Sequence, residues 1–348
     1  MPGKREATSE RKKEHIEICL NKEVSFKAKS NGLDNYEFIH SAVTEVDINK
    51  INFTSNFLRK KVSYPFLISC MTGGTFESIN INKELALAAG ELNIPIGVGS
   101  QRQALENGDY IKSFKVIREA AGNVPVLGNI GAKQVVEAKN TADLINRLAD
   151  MVDASAVVIH LNPLQELFQK NGETYFGGLL KGIEKACKGA RVPVFAKEVG
   201  SGISGFAASK LLNAGIKGID VAGAGGTSWS AVEMHRNGNF DQYFREWGLP
   251  TSYCIKDVYK LKMKHKFELI ASGGINSGIE LAKGLALGAD LAASARIILK
   301  EVIKNGNRGV VNLIENWFNT AAKIMYLTGA QDLNSLRKNK LINKEELV

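Results

Sequence analysis

The chain has 348 residues, of which 44% are hydrophobic, and it carries a formal net charge of +9 at pH 7. No run reaches the about 18 consecutive apolar residues of a membrane span, and the polar opening MPGKREATSERKKEH is not expected to act as a secretory signal. We therefore expect a large apolar core and no membrane partner.

The positive charge favours an anionic partner. The sequence contains no zinc finger, no basic strip interleaved with aromatic residues and no recognisable RNA-binding signature, so we expect a phosphorylated small molecule and not a nucleic acid. The four cysteines are far apart and lack metal-ligand spacing, which predicts reduced thiols in a cytoplasmic protein. They are Cys19, Cys70, Cys187 and Cys254.

Eight short apolar runs recur between residues 65 and 296, and helix-like stretches separate most of them. The runs are PFLISCMTGG, IPIGVGSQR, VPVLGNIGA, SAVVIHLNP, VPVFAKEVG, KGIDVAGAGG, FELIASGGI and ADLAASAR. Nearly continuous apolar runs are typical of parallel strands that are buried on both faces. The pattern predicts an α/β fold, a (β/α)8 TIM barrel with an N-terminal arm and a C-terminal helical extension.

The predicted organisation is a single domain with no linker. Residues 1–64 form the arm and the lead-in, and residues 65–348 form the barrel with its C-terminal helices. The helical stretches are NINKELALAAGELN, YIKSFKVIREAAG, TADLINRLADMV, SGFAASKLLNAG and NSGIELAKGLALG. Residues 227–264 are expected to form an insertion of extra helix and loop at the barrel mouth, and residues 309–328 a closing amphipathic helix.

The active site of this fold lies where the strands end, so the last residues of each run are the candidates. The first run ends in Met71, Thr72 and two glycines, which suits either a close approach to a ligand or a plain tight turn. Ser100, Gln101 and Arg102 end the second run, and the guanidinium could fork onto a phosphate or form a surface ion pair.

The third and fourth runs end in neutral and ionisable polar groups. Asn129 suits an amide-bearing ring edge and equally a turn. His160, Asn162, Gln165 and Glu166 follow the fourth run, and four polar side chains at one strand exit indicate a site. A single carboxylate suits Mg²⁺, which takes further ligands from phosphate and water, and does not suit structural zinc.

The fifth run ends in Lys197 and Glu198, which either pair with each other or point to opposite sides of the strand. An inward Lys197 would stabilise an anion on a bound group. The segments Ser272-Gly273-Gly274-Ile275 and Ala293-Ser294-Ala295-Arg296 end the last two runs, where barrels of this kind bind phosphate.

The N-terminal arm carries Arg11, Lys12 and His15, which can converge within one helical turn. The alternatives are a solvated run of charge and a basic arm that closes over the barrel mouth.

Taken in order, RKKEHIE, MTGG, GVGSQR, NIGA, HLNPLQE, KEVG, GAGGTSW and SGGI closely resemble type 2 isopentenyl-diphosphate isomerase, from Arg11 to about Lys300. The resemblance implies an FMN-dependent barrel enzyme that interconverts isopentenyl diphosphate and dimethylallyl diphosphate without net redox change. It also implies Mg²⁺, reduced flavin with NADPH as the reductant, and a homo-oligomer of four or eight subunits.

The resemblance implies the following roles. FMN would be lined by Cys70, Met71, Thr72, Ser100, Asn129, Lys197 and Thr227, and its phosphate side by Gly273, Gly274, Ile275, Ser294 and Ala295. Substrate would be bound by Arg11, Lys12, His15, Ser100, Gln101, Arg102, Asn162 and Gln165. Glu166 would hold Mg²⁺, and the catalytic residues would be Gln165, His160 and Lys197. Ala222 departs from the family, whose members often have serine there.

Two other functions are compatible with parts of the sequence. An FMN-dependent oxidoreductase of the hydroxy-acid oxidase type would share the phosphate loops and Lys197. The chain lacks the histidine–glycine pair expected late in the seventh strand, and HLNPLQE would be unexplained. A flavin-binding regulator would need neither the metal carboxylate nor the basic arm.

Overall fold

A computed structural model describes residues 2–338 and 341–347, with side chains described from Glu10 onward. Eight parallel strands close into a barrel, in which β11 pairs with β4. The barrel strands are β4 (Phe66–Ile68), β5 (Ile96–Gly97), β6 (Val126–Gly131), β7 (Ala156–Leu161), β8 (Val194–Glu198), β9 (Gly218–Asp220), β10 (Glu268–Ala271) and β11 (Leu291–Ser294). Each predicted run contains one barrel strand, so the predicted fold class is confirmed.

Within the described residues, four further strands of three residues each lie outside the barrel, β1 (Tyr36–Phe38), β2 (Ser55–Phe57), β3 (Lys60–Val62) and β12 (Leu341–Asn343). β2 and β3 form an antiparallel hairpin, and β1 pairs antiparallel with β12. The hairpin places Phe57 and Val62, both fully buried, in the same apolar cluster as inward side chains of the barrel. The Phe57 and Phe195 rings meet edge to face with their centroids 6.1 Å apart. The hairpin therefore closes the barrel floor, which the sequence did not predict.

Helices flank the barrel strands. The helices are α1 (Pro2–Asn21), α2 (Glu77–Leu92), α3 (Arg102–Glu106), α4 (Lys112–Ala120), α5 (Ala132–Glu137), α6 (Thr141–Val152), α7 (Pro163–Phe168), α8 (Leu179–Gly189), α9 (Gly205–Asn213), α10 (Trp229–Asn237), α11 (Gln242–Arg245), α12 (Thr251–Tyr259), α13 (Gly278–Ala286), α14 (Arg296–Thr328) and α15 (Leu333–Arg337). The five helices predicted between the strands are confirmed as α2, α4, α6, α9 and α13. None of the helices in the described ranges is long and apolar enough to cross a membrane.

Two predicted segments differ from the structure. Within residues 227–264, only α10 and α11 are additions at the mouth, whereas α12 packs against α9 and β10. It is the crossover helix that a parallel β9–β10 connection requires. The closing helix predicted at residues 309–328 is the second part of α14, which breaks at Gly306 (φ 63°, ψ −161°).

Strand register brings the predicted site residues to one level. Gly131 pairs with His160, His160 with Lys197, and Lys197 with Asp220 across three neighbouring strand pairs. The carboxyl ends of these strands therefore present their side chains around one opening.

Candidate functional site

A cavity of about 530 Å³ lies at the carboxyl ends of the barrel strands, with α1 forming part of its wall. Its volume is in the range of small-molecule and cofactor sites. The predicted site residues that line it are Arg11, Lys12, His15, Cys70, Met71, Thr72, Ser100, Arg102, Asn129, His160, Asn162, Gln165, Glu166, Lys197, Thr227, Gly273, Gly274, Ser294 and Ala295.

The structure does not bring Gln101 or Ile275 into the cavity wall. Gln101 is fully buried, and its amide donates to the carbonyl of Leu148 (3.0 Å) and accepts from the amide of Asn129 (2.9 Å). The Gln101 side chain therefore links the loop after β5 to α6 and β6 and does not face the cavity. Ile275 is buried, and its carbonyl accepts a bond from the hydroxyl of Ser294 (2.7 Å).

Lys197 points into the barrel, and Glu198 points away from it. The Lys197 ammonium lies 3.0 Å from Asp220 Oδ2 and donates to Ser272 Oγ (3.4 Å). Glu198 accepts backbone N–H bonds from the three residues that follow it, and burial raises the pKa of its carboxyl. The alternation of strand side chains thus excludes a Lys197–Glu198 pair and leaves a buried cation beside the cavity.

His160 is held in one orientation by Asn129. Its Nδ1 lies 2.8 Å from Asn129 Oδ1, and an amide oxygen only accepts, so Nδ1 carries the proton and Nε2 is left as an acceptor. Burial, with Lys197 and Lys12 nearby, lowers the pKa of His160 to about 4. The imidazole is therefore neutral at pH 7.

The side chains after β7 form a network of amides around one carboxylate. Asn162 Nδ2 donates to Gln165 Oε1 and Glu166 Oε1, each at 3.1 Å. Glu166 Oε2 accepts from Gln169 Nε2 (3.2 Å) and from the amide of Glu173 (2.8 Å). The described residues hold no cluster of three or more His, Cys, Asp or Glu suited to a metal. This donor set fits Mg²⁺, which keeps water and substrate oxygens as ligands, and not a closed zinc site.

The N-terminal arm is docked on the mouth and is not a solvated run of charge. Lys12 Nζ donates to the carbonyls of Gly73 (2.6 Å) and Ser100 (3.0 Å), which join the loops after β4 and β5. Burial and the neighbouring Arg11 and Arg102 lower the pKa of Lys12 to about 7. Arg102 lines the cavity and its Nε pairs with Glu106 (2.8 Å), which is the ion pair of the two alternatives, while phosphate binding by this residue stays a prediction.

Glu233 on α10 was missed by the sequence analysis. Its fully buried Oε1 accepts from His15 Nε2 (2.8 Å) and Gln165 Nε2 (3.1 Å), and its Oε2 accepts from Arg236 (2.7 Å). Burial raises its pKa, but the bonds from His15, Gln165 and Arg236 outweigh burial and hold the pKa below its usual value. The only signal in the sequence is an acid inside the apolar stretch AVEM.

The opposite end of the cavity is built from glycine loops and a helix start. A Cβ on Gly226 would lie 2.5 Å from the nitrogen of Gly274, and one on Gly273 would lie 2.1 Å from the carbonyl oxygen of Gly223. Only glycine allows the loops after β9 and β10 to approach so closely. α14 begins after Ala295 with no side-chain cap, and its first residues line the cavity.

Uncapped amides at a helix start suit a phosphate. In the same cavity wall, the buried Ser69 hydroxyl has no hydrogen-bond partner within the described chain. These groups, with Lys197, fit the phosphate and ring of FMN. Ala222 also lines the cavity, in a left-handed conformation (φ 38°) that is uncommon for a residue with a side chain.

Comparison with known proteins gives two levels of similarity. A family model described as FMN-dependent dehydrogenase matches residues 169–343. Isopentenyl-diphosphate delta-isomerase of Chlorobium phaeobacteroides is 44% identical, covering 97% of this chain and 96% of the relative. The protein of the same name from Nostoc is 42% identical, with 95% and 94% covered.

Solved structures of lower identity share the fold. A lactate oxidase from Pediococcus acidilactici superposes with a TM-score of 0.69 at 15% identity, covering 97% of this chain and 94% of that one. A variant of flavocytochrome b2 with pyruvate bound also gives 0.69, at 18% identity, with 96% and 84% covered.

Proposed function

Since this chain belongs to the isopentenyl-diphosphate delta-isomerase family, we propose that it interconverts isopentenyl diphosphate and dimethylallyl diphosphate, with FMN and Mg²⁺ in its cavity. The observation that carries the proposal is the layout of the cavity. One end has the glycine loops and the uncapped start of α14, and the other has the basic arm beside Glu166. A phosphorylated cofactor would bind at the end with the glycine loops and α14, and a diphosphate substrate at the end with the basic arm and Glu166.

The diphosphate end binds the substrate far from its double bond. Arg11, Lys12 and Arg102 supply positive charge, and Glu166 would hold Mg²⁺ against the diphosphate oxygens. Because the diphosphate does not react, its binding energy serves to position the alkene.

Moving the double bond requires a proton at one carbon and loss of a proton from another. When bound in its reduced form, FMN would supply an electron-rich ring that stabilises positive charge at the branched carbon and exchanges protons. Lys197, which points into the barrel, would stabilise negative charge on a bound group. Neutral His160 would accept a proton at Nε2, and Gln165, held between Asn162 and Glu233, would contact the substrate from the wall of the same cavity.

The decisive experiment is anaerobic incubation with isopentenyl diphosphate, FMN, Mg²⁺ and NADPH. An isomerase needs NADPH only once per enzyme, to reduce FMN. The ratio of NADPH oxidised to dimethylallyl diphosphate formed should therefore fall towards zero as turnover proceeds. Oxidation of NADPH without formation of dimethylallyl diphosphate would overturn the isomerase and favour an FMN-dependent oxidoreductase. Chromatography of the released flavin should identify FMN and not FAD.

The proposal extends to assembly and location. We infer one structural unit in which residues 1–64 complete the site of the barrel formed by 65–348, working as a homo-oligomer in the cytoplasm. Light scattering after size-exclusion chromatography should give the mass of four or eight chains, and the mass of one chain would refute the assembly.

A further inference from the structure

Arg296 lies at the phosphate end of the cavity, where a guanidinium is expected to bind phosphate. In the structure its guanidinium instead donates hydrogen bonds to residues 19–25. Nε donates to the carbonyl of Cys19 (2.8 Å), Nη1 to the hydroxyl of Ser25 (2.9 Å) and Nη2 to the carbonyl of Lys22 (2.9 Å). All three nitrogens of the guanidinium therefore bind the arm.

The carbonyl of Cys19 belongs to the last turn of α1, and that of Lys22 to the residue directly after the helix. The last carbonyls of a helix have no partner within the helix, and basic groups are favoured there. α1 has no basic residue in its own last turn. Arg296 supplies that missing positive charge from the first position of α14.

The segment after α1 is fixed independently. Arg245 donates to the carbonyls of Glu23 (3.0 Å) and Ser25 (3.1 Å). The carboxylate of Glu246 accepts the backbone amides of residues 27–29 at 2.9–3.2 Å. The loop after β9 adds two bonds. The backbone amide of Ser228 donates to the carbonyl of Val24 (2.8 Å), and the backbone amide of Phe26 donates to the carbonyl of Gly226 (3.3 Å). These bonds fix residues 23–29, and the Arg296 guanidinium joins the end of α1 to α14, while Lys12 and His15 hold the helix farther towards its start.

The site residues of the arm lie about one to two turns from Cys19. Arg11, Lys12 and His15 are on the same rigid helix as Cys19, so a small rotation at Cys19 displaces them over the mouth. A misplacement of about 1 Å is enough to cost a binding site much of its effect.

We propose that Arg296 is a positioning residue, which ties α1 to the phosphate end of the cavity and so holds the arm at the diphosphate end. Its effect on substrate rests on the proposed function, but its effect on the arm does not. The fork geometry matters because lysine cannot serve three acceptors from one plane.

Hydrogen–deuterium exchange of residues 10–21, measured on the full-length protein without substrate, tests the tie directly. Arg296→Ala should speed exchange there by about tenfold or more, with barrel peptides unchanged, since three charge-assisted bonds are lost. Arg296→Lys should fall between it and the wild type. Lys304→Ala, which removes an exposed charge from the same helix, is the matched control and should leave exchange unchanged.

Kinetics and flavin binding separate positioning from direct contact. Arg296→Ala should raise the KM for isopentenyl diphosphate by about tenfold with a smaller change in kcat, while FMN affinity changes less than about threefold. Arg11→Ala should raise KM without speeding exchange in the arm.

Unchanged exchange of residues 10–21 in Arg296→Ala would overturn the proposal. If FMN affinity also fell, Arg296 would be a phosphate ligand instead. Faster exchange in a protein that shows no isomerase activity would support the tie and refute the proposed function alone.

Discussion

The lower half of the barrel interior presents apolar side chains, whereas two residues further along the same strands the side chains are polar or charged. The pairs are Leu67 and Ser69, Leu127 and Asn129, Val158 and His160, Phe195 and Lys197, and Ile270 and Ser272. Because side chains alternate along a strand, residues two apart face the same way. The same strands thus form a packed apolar layer at the bottom of the barrel and the polar wall of the cavity above it.

The contrast shows what the floor does for the site. Phe57 and Val62 are fully buried against the apolar side chains at the bottom of the barrel and cover them on the side away from the mouth. Groups above this floor are strongly desolvated, and the pKa of His160 falls to about 4 while burial raises that of Cys70 to about 11. Electrostatic interactions are stronger in such surroundings than in water.

Removing the charge of the upper layer should have the largest effect. Lys197→Met should lower kcat by about 10²–10³-fold, the loss typical of one preorganised charge-stabilising group. Steady-state kinetics measure it. The same change leaves Asp220 buried without its cation, which costs about 3–5 kcal/mol of stability. Lys197→Met with Asp220→Asn should recover the thermal stability but not kcat, and recovered kcat would contradict the role of Lys197.

Glu166 tests whether the network at the mouth holds a metal. Glu166→Gln should raise the Mg²⁺ concentration needed for half-maximal activity by about 10–100-fold, because Glu166 is the only carboxylate among the described residues that line the cavity. Titrating activity with Mg²⁺ measures it. Glu137→Gln, on the exposed side of α5, is the control and should titrate like the wild type. If the Mg²⁺ dependence of activity is unchanged in Glu166→Gln, Glu166 does not hold the metal and serves only the hydrogen-bond network after β7.

The depressed pKa of Lys12 predicts a pH dependence of substrate binding. The free ammonium loses its proton as pH rises through about 7, and the diphosphate binds the protonated form better. Above that pH, KM should rise by up to about tenfold per pH unit relative to Lys12→Met, which has no charge to lose. The diphosphate titrates identically in both proteins, so parallel KM profiles would refute the assignment.

The floor should matter for stability and hardly for binding. Phe57→Ala removes a fully buried ring from the hairpin and should cost about 3–5 kcal/mol of unfolding free energy. Denaturant unfolding measures this loss. The KM for substrate should stay within about twofold at a temperature where the variant is folded. A large rise in KM would show that floor and mouth are coupled.

The eight strands and most of the cavity wall could be predicted because buried parallel strands leave continuous apolar runs, and this fold places its site at their ends. Asp220 and Glu233 were missed because each lies inside an apolar stretch and acquires its partner only through the tertiary fold. The orientation of Gln101 was not predictable, since it follows the strand and alternation no longer fixes its side chain. The β2–β3 hairpin was also not predicted, because short strands outside the repeat carry little periodic signal.

The pairing of β1 with β12 joins Tyr36 to Asn343, almost the whole length of the chain apart. During synthesis β1 is made before any barrel strand, whereas its partner strand β12 is made after all eight of them. An isolated strand of three residues has no stability of its own. The β1–β12 sheet therefore forms only after all eight barrel strands have been made. A ribosome-bound chain that stops short of residue 341 would contain every barrel strand and no β1–β12 sheet.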